Sequence, residues 1–451
     1  MKLFKISFLA SLAAMLVMGL TGSAFAFHDG GVADCEGCHT MHNSKVGLAM
    51  TVNGNAPLTG NAYLLLGSDP SSTCLSCHGS GATLSSYHVA TNAGAFNGTS
   101  LPAQYTPGGD FSWLQITGAG GVLAAPASEA ANRQGHHIVA ADYGFAPNAD
   151  NGGLAPGGTY PAASLGCPSC HNPHNKTRLD GSSLPISTSG SYGSTGAKAP
   201  VAGTAMGTYR FLAGSGYTYP LAPGYTFGTN GPTAVAPSTY NKADTLTAPG
   251  AGIQVRVAYG QGMSEWCGNC HAGILNNSVT AGTVHRHVAG AAALLNQTLP
   301  DGVTNVKTAY NAYVNSGNTS GGTVTTSYLA LVPYELGTSD QATLLSYQGN
   351  GTGTDGANAS AGPSIGTENV MCLSCHRAHA SGLDSSLRYQ VTNELMTMPA
   401  APAAYSAVNA AGAHGQTADA NGYIQAVEHG VAPGYFGQAQ RDLCNKCHAK
   451  G

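Results

Sequence analysis

All twelve cysteines of this 451-residue chain fall into six C-x-x-C pairs, and histidine follows the second cysteine every time. The pairs are Cys35 with Cys38, Cys74 with Cys77, Cys167 with Cys170, Cys267 with Cys270, Cys372 with Cys375, and Cys444 with Cys447. Disulfides and redox dithiols have no need of that histidine, and structural zinc usually draws four ligands from two separated pairs. At the chain's histidine frequency of 17 in 451, six such neighbours arise by chance with a probability on the order of 10⁻⁹. C-x-x-C-H is the attachment signal for c-type haem. A short helical turn lays both sulfurs along one porphyrin edge, where each adds to a vinyl group. The histidine then projects under the ring to the iron. Six covalent haem c groups are expected, with proximal ligands His39, His78, His171, His271, His376 and His448.

The sixth coordination position separates reactive haem from plain electron carriers. Eleven histidines remain after the proximal six. Three motifs continue as CHTMH, CHNPH and CHRAH, which places His42, His174 and His379 three residues past a proximal ligand. On a helical turn such residues lie about 5–6 Å apart at Cβ. The second histidine cannot reach the far face of its own haem, because the ring lies between, so it is expected to ligate another one. His88 in SSYHVA is a further candidate. GHHIVA offers His136 or His137, and VHRHVAG offers His285 or His287; His136 and His287 are the preferred choices. His414 and His429 are expected to be solvated, and His28 is either a free residue at the mature terminus or within short reach of a haem. The methionines are not needed as ligands.

Lys2 and Lys5, the apolar run ISFLASLAAMLVMGL and the small-residue triplet Ala24-Phe25-Ala26 read as a secretory signal peptide over residues 1–26. The mature chain is expected to be secreted, with no membrane span, as one elongated hexahaem domain over 27–451. With Lys2 and Lys5 removed from the 17 basic residues, 15 face 21 acidic ones, so no basic stripe invites nucleic acid. Charged residues make up 8% of the chain, against about 25% in typical domains. So weakly charged a surface resists self-association poorly, which suits a protein that polymerises.

Proximal histidines are separated by 39, 93, 100, 105 and 72 residues, so no fixed repeat exists. The stretches 187–207, 214–241 and 349–364 are dominated by Gly, Pro, Ser and Asn and read as coil. Helices are expected at 291–299, 305–316, 340–348 and 385–396, and strand signals are weak. The expected fold is irregular coil with short α-helices wrapped around six haems, with little β structure. The macrocycles supply the core that coil alone lacks.

Several stretches are similar to the hexahaem cytochromes that polymerise into extracellular conductive filaments in metal-reducing bacteria. They include GGVADCEGCHTMHNS (30–44), YTPGGDF (105–111), RVAYGQGMSEWCGNCH (256–271), CLSCHRAHASG (372–382) and LCNKCHAK (443–450). The resemblance runs the length of the mature chain, and the intervals 178–205, 274–284 and 391–435 diverge most. It implies bis-histidine ligation throughout, with distal ligands His42, His88, His136, His174, His287 and His379. It also implies one continuous haem chain, and that His42 ligates the fifth haem of an adjacent subunit. The expected function is extracellular electron transfer rather than catalysis. Partners would be copies of the chain, upstream periplasmic or outer-membrane cytochromes, and acceptors such as metal oxides, electrodes or other cells. The alternative is a secreted multihaem reductase with one open iron, though no C-x-x-C-K variant is present.

Overall fold

The computed structural model describes residues 35–40, 44–45, 48–49, 63–79, 88–90, 108–115, 133–174, 212–232, 234–235, 258–275, 289–298, 305–315, 332–338, 340, 343–344, 347, 363, 366–381, 384–388, 443–444 and 447–448. Among them, coil, turns and isolated bridges dominate. The α-helices that position the motifs are α1 (Pro70–His78), α2 (Cys167–Cys170), α3 (Met263–Leu275) and α5 (Cys372–Cys375); a further helix, α4, spans Val306–Asn315. Two antiparallel ladders of two residues per strand pair β1 (Ser44–Lys45) with β2 (Leu48–Ala49), and β3 (Ala234–Val235) with β4 (Ala258–Tyr259). Among the described residues no helix is long and apolar enough to cross a membrane.

Helix starts follow local chemistry. Asp69 caps α1 by accepting from Ser72 N at 2.8 Å, and Pro70 opens the first turn where its missing N–H costs nothing. Asn305 caps α4 through Thr308 N. Val306 and Tyr310 are buried at i, i+4 spacing, and the Tyr310 hydroxyl donates to Val332 O at 2.7 Å. This is the helix expected at 305–316. Within the segment 340–348, the described residues 343–344 and 347 are helical, and Leu344 N donates to Asp340 O.

Two of the expected helices are not helical over their described residues. Over 291–299 the amide of Leu295 donates to Glu368 O, and Ala293 O accepts from Val370 N. Pairing with the 368–370 segment takes the groups a helix would have used, so tertiary contacts override propensity. At 385–396 the described residues form a 3₁₀ turn, Asp384–Ser386, and a bridge at Leu387. Ser385 and Ser386 sit in the left-handed region at φ 57° and 55°, which excludes α-helix there.

The apolar core is divided. One cluster joins Leu75, Phe111, Ile138 and Phe145 beneath the second and third motifs. Another joins Leu212, Tyr259, Met263, Met371 and Leu373 beneath the fourth and fifth. Tyr160, Tyr219 and Ala222 form a third, against Cys270. Each cluster lies at a junction between motifs, so the polypeptide packs around the motif chain rather than around one centre. Met263 and Met371 serve packing.

Candidate haem-binding sites

The motif turns close in the same way. The amide of His39 donates to Cys35 O at 2.8 Å, His171 to Cys167 O at 2.9 Å, His376 to Cys372 O at 2.9 Å and His448 to Cys444 O at 2.9 Å. The second and fourth motifs ride inside α1 and α3. At the third and fifth motifs the helix stops at the second cysteine, and the proximal histidine is already extended.

The second cysteines of the second and sixth motifs are held in different ways. Cys77 is half-buried in the last turn of α1, with Ser76 Oγ 3.8 Å from its sulfur. Cys447 stands outside any helix. Its amide donates to Cys444 O at 3.2 Å, as Cys38 N does to Cys35 O, so a single turn brings Cys444 and Cys447 together. Neither Cys77 nor Cys447 is in a disulfide, and the same holds for the other ten cysteines. Among the described residues no three His, Cys, Asp or Glu side chains converge as a bare metal ion would need.

Motifs one, three and five share a clasp. His39 bridges Leu65, His171 bridges Leu212 and His376 bridges Leu387, all antiparallel. The second cysteine's carbonyl accepts from the residue after that leucine: Leu66 N to Cys38 O, Ala213 N to Cys170 O and Arg388 N to Cys375 O. In the first and fifth motifs the residue before the leucine is left-handed, Leu64 at φ 53° and Ser386 at φ 55°. The residue before that supplies the carbonyl that holds the proximal imidazole. His39 Nδ1 is 2.9 Å from Tyr63 O, and His376 Nδ1 is 2.7 Å from Ser385 O. A carbonyl only accepts, so Nδ1 carries the proton and Nε2 keeps its lone pair for a metal. His271 Nδ1 is fixed likewise on Pro156 O, and His136 Nδ1 on Ala378 O.

Successive motifs lie near one another in sequence order. The thiols of Cys74 and Cys167 are close enough to shift each other's ionisation, as are those of Cys267 and Cys372. At the other junctions, Cys38 and Cys77 are close enough for one charge to disfavour the other, as are Cys170 and Cys270, and Cys375 and Cys444. These five junctions string the six motifs into one line. Two of them share a serine device. Cys167 N donates to Ser71 Oγ at 3.0 Å, and Cys372 N donates to Ser264 Oγ at 3.1 Å. Inside the receiving motif, Ser169 Oγ accepts from Gly166 N and Ser374 Oγ from Met371 N, both at 3.0 Å.

Three proximal histidines face another imidazole. His39 and His174 have ring centres 6.0 Å apart, His171 and His379 6.4 Å, and His271 and His136 6.0 Å. Two axial imidazoles, each about 2.0 Å from a shared metal with the ring centre about 1.1 Å behind its nitrogen, stand about 6.2 Å apart. The three separations match that spacing. Burial pushes His271 and His379 down to about 4, and lowers His136 and His376, which favours the neutral imidazole that metal binding requires.

His379 and His136 are held together by one clasp of extended chain. His379 N donates to Gly108 O, Asp110 N to Ala380 O, His136 N to His379 O and Ser381 N to Gln134 O. Gly109, at φ 75°, and Gly135 let these backbones approach, since a Cβ at either would strike the His379–Ala380 backbone. Phe111 stacks on His379 at 4.6 Å.

Of the expected distal residues, His136, His174 and His379 stand opposite proximal histidines. His88 lies beside the second motif, where Val89 N donates to His78 O. His42, His287 and its alternative His285 lie outside the described residues, as do His28, His414, His429 and the leader 1–26. Against expectation, the third and fifth motifs do not carry their second histidine on a helical turn, because the helix ends at the second cysteine and the proximal histidine is already extended. Extension lets His174 and His379 pass the neighbouring motif and meet the proximal histidine of the motif two places earlier. The serines at the junctions were missed; S-x-x-C is present in the second, third and fourth motifs but reaches a neighbour's amide from only Ser71 and Ser264.

Comparison with known proteins gives a consistent picture. The C-type cytochrome OmcS of Geobacter sulfurreducens is 42% identical over 454 residues, covering 98% of both chains. Two solved structures from that organism, one of OmcS nanowires and one of an outer membrane cytochrome S filament, match with TM-scores of 0.70 and 0.69. Both are 39% identical, and the match covers 94% of this chain and all of theirs. No family model matches.

Proposed function

This chain belongs to the family of the C-type cytochrome OmcS, and we propose that it carries six covalent haem c groups and polymerises into an extracellular filament that conducts electrons. The mature chain, 27–451, forms a single domain in this reading, exported by the leader 1–26. Bound haem supplies the redox couple. The polypeptide fixes two sulfurs and one imidazole per site, brings a second imidazole to the opposite face and keeps successive sites in contact. At the second site those sulfurs are Cys74 and Cys77, and at the sixth Cys444 and Cys447. Two imidazole ligands lack the potential-raising effect of methionine, which suits electron export.

The observation that carries the reading is the imidazole pairing. His174 serves the first iron with His39, His379 the third with His171, and His136 the fourth with His271. The second histidine of the third motif thus serves the first motif, and that of the fifth serves the third. Continued by the same step, the second histidine of the first motif, His42, meets the fifth motif's His376 in another copy. This is the link the family resemblance implies, reached here from the spacing of pairs within one chain. His88 and His287 remain for the second and sixth irons. Outside acceptors and upstream cytochromes complete the route.

Mass spectrometry of the secreted protein tests the count: the polypeptide mass should rise by six haem units, and five would remove a motif from the assignment. Replacing His42 by Ala tests the link. Six haems should remain attached, one iron per subunit should become high-spin, and filaments should weaken or vanish. Normal all-low-spin filaments from that variant would make His42 a surface residue.

A further inference from the structure

Glu335 is fully buried, although glutamate is almost never so without a partner. Its Oε2 lies 3.2 Å from Gly262 N and 3.3 Å from Met263 N, at the start of α3, the helix that carries the fourth motif. Its Oε1 is buried and accepts no hydrogen bond. A second carboxylate stands nearby on the first turn of α3. Glu265 Oε1 accepts from Ala291 N at 3.0 Å on the exposed side, while its Oε2 is buried and also without a donor. Asn369, whose backbone exchanges two hydrogen bonds with that of Glu335, buries a third oxygen without a donor. Three buried oxygens of the site therefore accept no hydrogen bond, and what they lack is a hydrogen.

The groups around Glu335 are few. Glu265 faces it from α3, and Cys372 from the fifth motif. Tyr259 and Asn369 pair with its backbone, and Glu368 precedes Asn369. Cys372 is taken up in a thioether once haem is attached. Burial first, then Glu265, pushes the Glu335 carboxyl up to about 8, with the two amides acting in the opposite direction. Glu335 thus lies between a motif that holds its helix and a motif whose cysteine faces it.

We propose that Glu335 is a proton-binding site coupled to electron occupancy of the fourth and fifth haems, with Glu265 as the relay from solvent. The inference rests on the haem assignment above. The balance is simple. One electron arrives from the preceding carrier and stays on iron, lowering the local charge by one. One proton from water passes over Glu265 to Glu335 Oε1, forming an O–H bond and restoring that charge. When the electron leaves, the proton returns. Electrons crossing this junction then carry a protonation cost that falls as the medium becomes more acidic.

The test is a spectroelectrochemical titration of the haem-loaded protein from pH 6 to 9. One component of the wild-type curve should shift with pH, up to the about 59 mV per tenfold change in proton concentration that full one-electron coupling gives. Glu335→Gln keeps an oxygen for Gly262 and Met263 but cannot ionise; it should retain six low-spin haems and lose that component. Glu265→Gln should keep the component but move its window to lower pH. A Glu335→Gln protein whose potentials follow the wild-type pH curve would overturn the proposal and leave the haem assignment standing. If Glu335→Gln fails to mature, reduced-minus-oxidised infrared spectra of the wild type decide. They should gain a protonated carboxyl band that shifts in D₂O and moves in Glu265→Gln, and its absence overturns the proposal.

Discussion

The junction between the second and third motifs and that between the fourth and fifth are built on one plan with one difference. In both, a serine three residues before a cysteine accepts the amide of the next motif's first cysteine, Ser71 for Cys167 and Ser264 for Cys372. In both, the two facing thiols are close enough to shift each other's ionisation. The difference lies at the helix start. α1 is capped by its own Asp69, whose oxygens accept from Ser72 N, Ser72 Oγ and Ala141 N. α3 is capped from a distant segment by Glu335, buried and with one oxygen unused. The same geometry is thus held at one junction by a saturated carboxylate and at the other by a carboxylate with room for a proton.

The largest effects should come from the clasp that serves both regions. His379→Ala should leave six haems attached and one iron per chain high-spin by magnetic circular dichroism. His136→Ala should do the same at the fourth motif, while His137→Ala should leave every iron low-spin. If His137→Ala produces the high-spin signal instead, the two adjacent histidines exchange roles. Gly135→Ala and Gly109→Ala come next. Each forces a Cβ into the His379–Ala380 backbone, and a loss of about 2–3 kcal/mol is expected in denaturant titrations, with ligation disturbed at both the third and fourth irons.

Proton linkage separates the junctions directly. The Glu335 carboxyl titrates near 4.5 when unfolded and about 8 when folded. Between those values the unfolded state holds fewer protons, so stability falls as pH rises, and it levels off above about 8. The decline should be of the order of a few kcal/mol and absent in Glu335→Gln. A wild-type profile without that slope would erase the contrast with Asp69. The smallest effects belong to the shared plan. Ser71→Ala and Ser264→Ala each remove the acceptor of one partly buried amide, for about 1–2 kcal/mol each, and the two losses should match. A loss at only one junction would mean that the likeness is superficial.

Much of the site could be read from residues alone, because covalent attachment makes spacing obligatory. The proposed cysteines and proximal histidines are picked out by C-x-x-C-H alone, whether the second cysteine lies in a helix, as Cys77 does, or in a lone turn, as Cys447 does. The extra histidines of CHTMH, CHNPH and CHRAH could be read as reaching another haem, but not which one, since that depends on the chain leaving helical geometry at His171 and His376. The clasp leucines were hidden for a different reason. Leu65, Leu212 and Leu387 follow their histidines by 26, 41 and 11 residues, so no period reveals them. Serine before a cysteine is equally ambiguous. Ser164 has the same place as Ser71 and Ser264 but donates to Leu221 O. The missed pairing over 291–299 and the buried Glu335 share a cause, contact between segments far apart in sequence that local pattern does not encode.

A cryo-EM map of the secreted, haem-loaded filament would test the central claim most directly, that imidazoles from alternate motifs close each iron and carry the chain across subunits. It should show six haems per subunit, with His174 opposite His39, His379 opposite His171, His136 opposite His271, and His42 of one copy on the iron carried by His376 of the next. Irons with different partners, or a His42 side chain pointing into solvent, would contradict it.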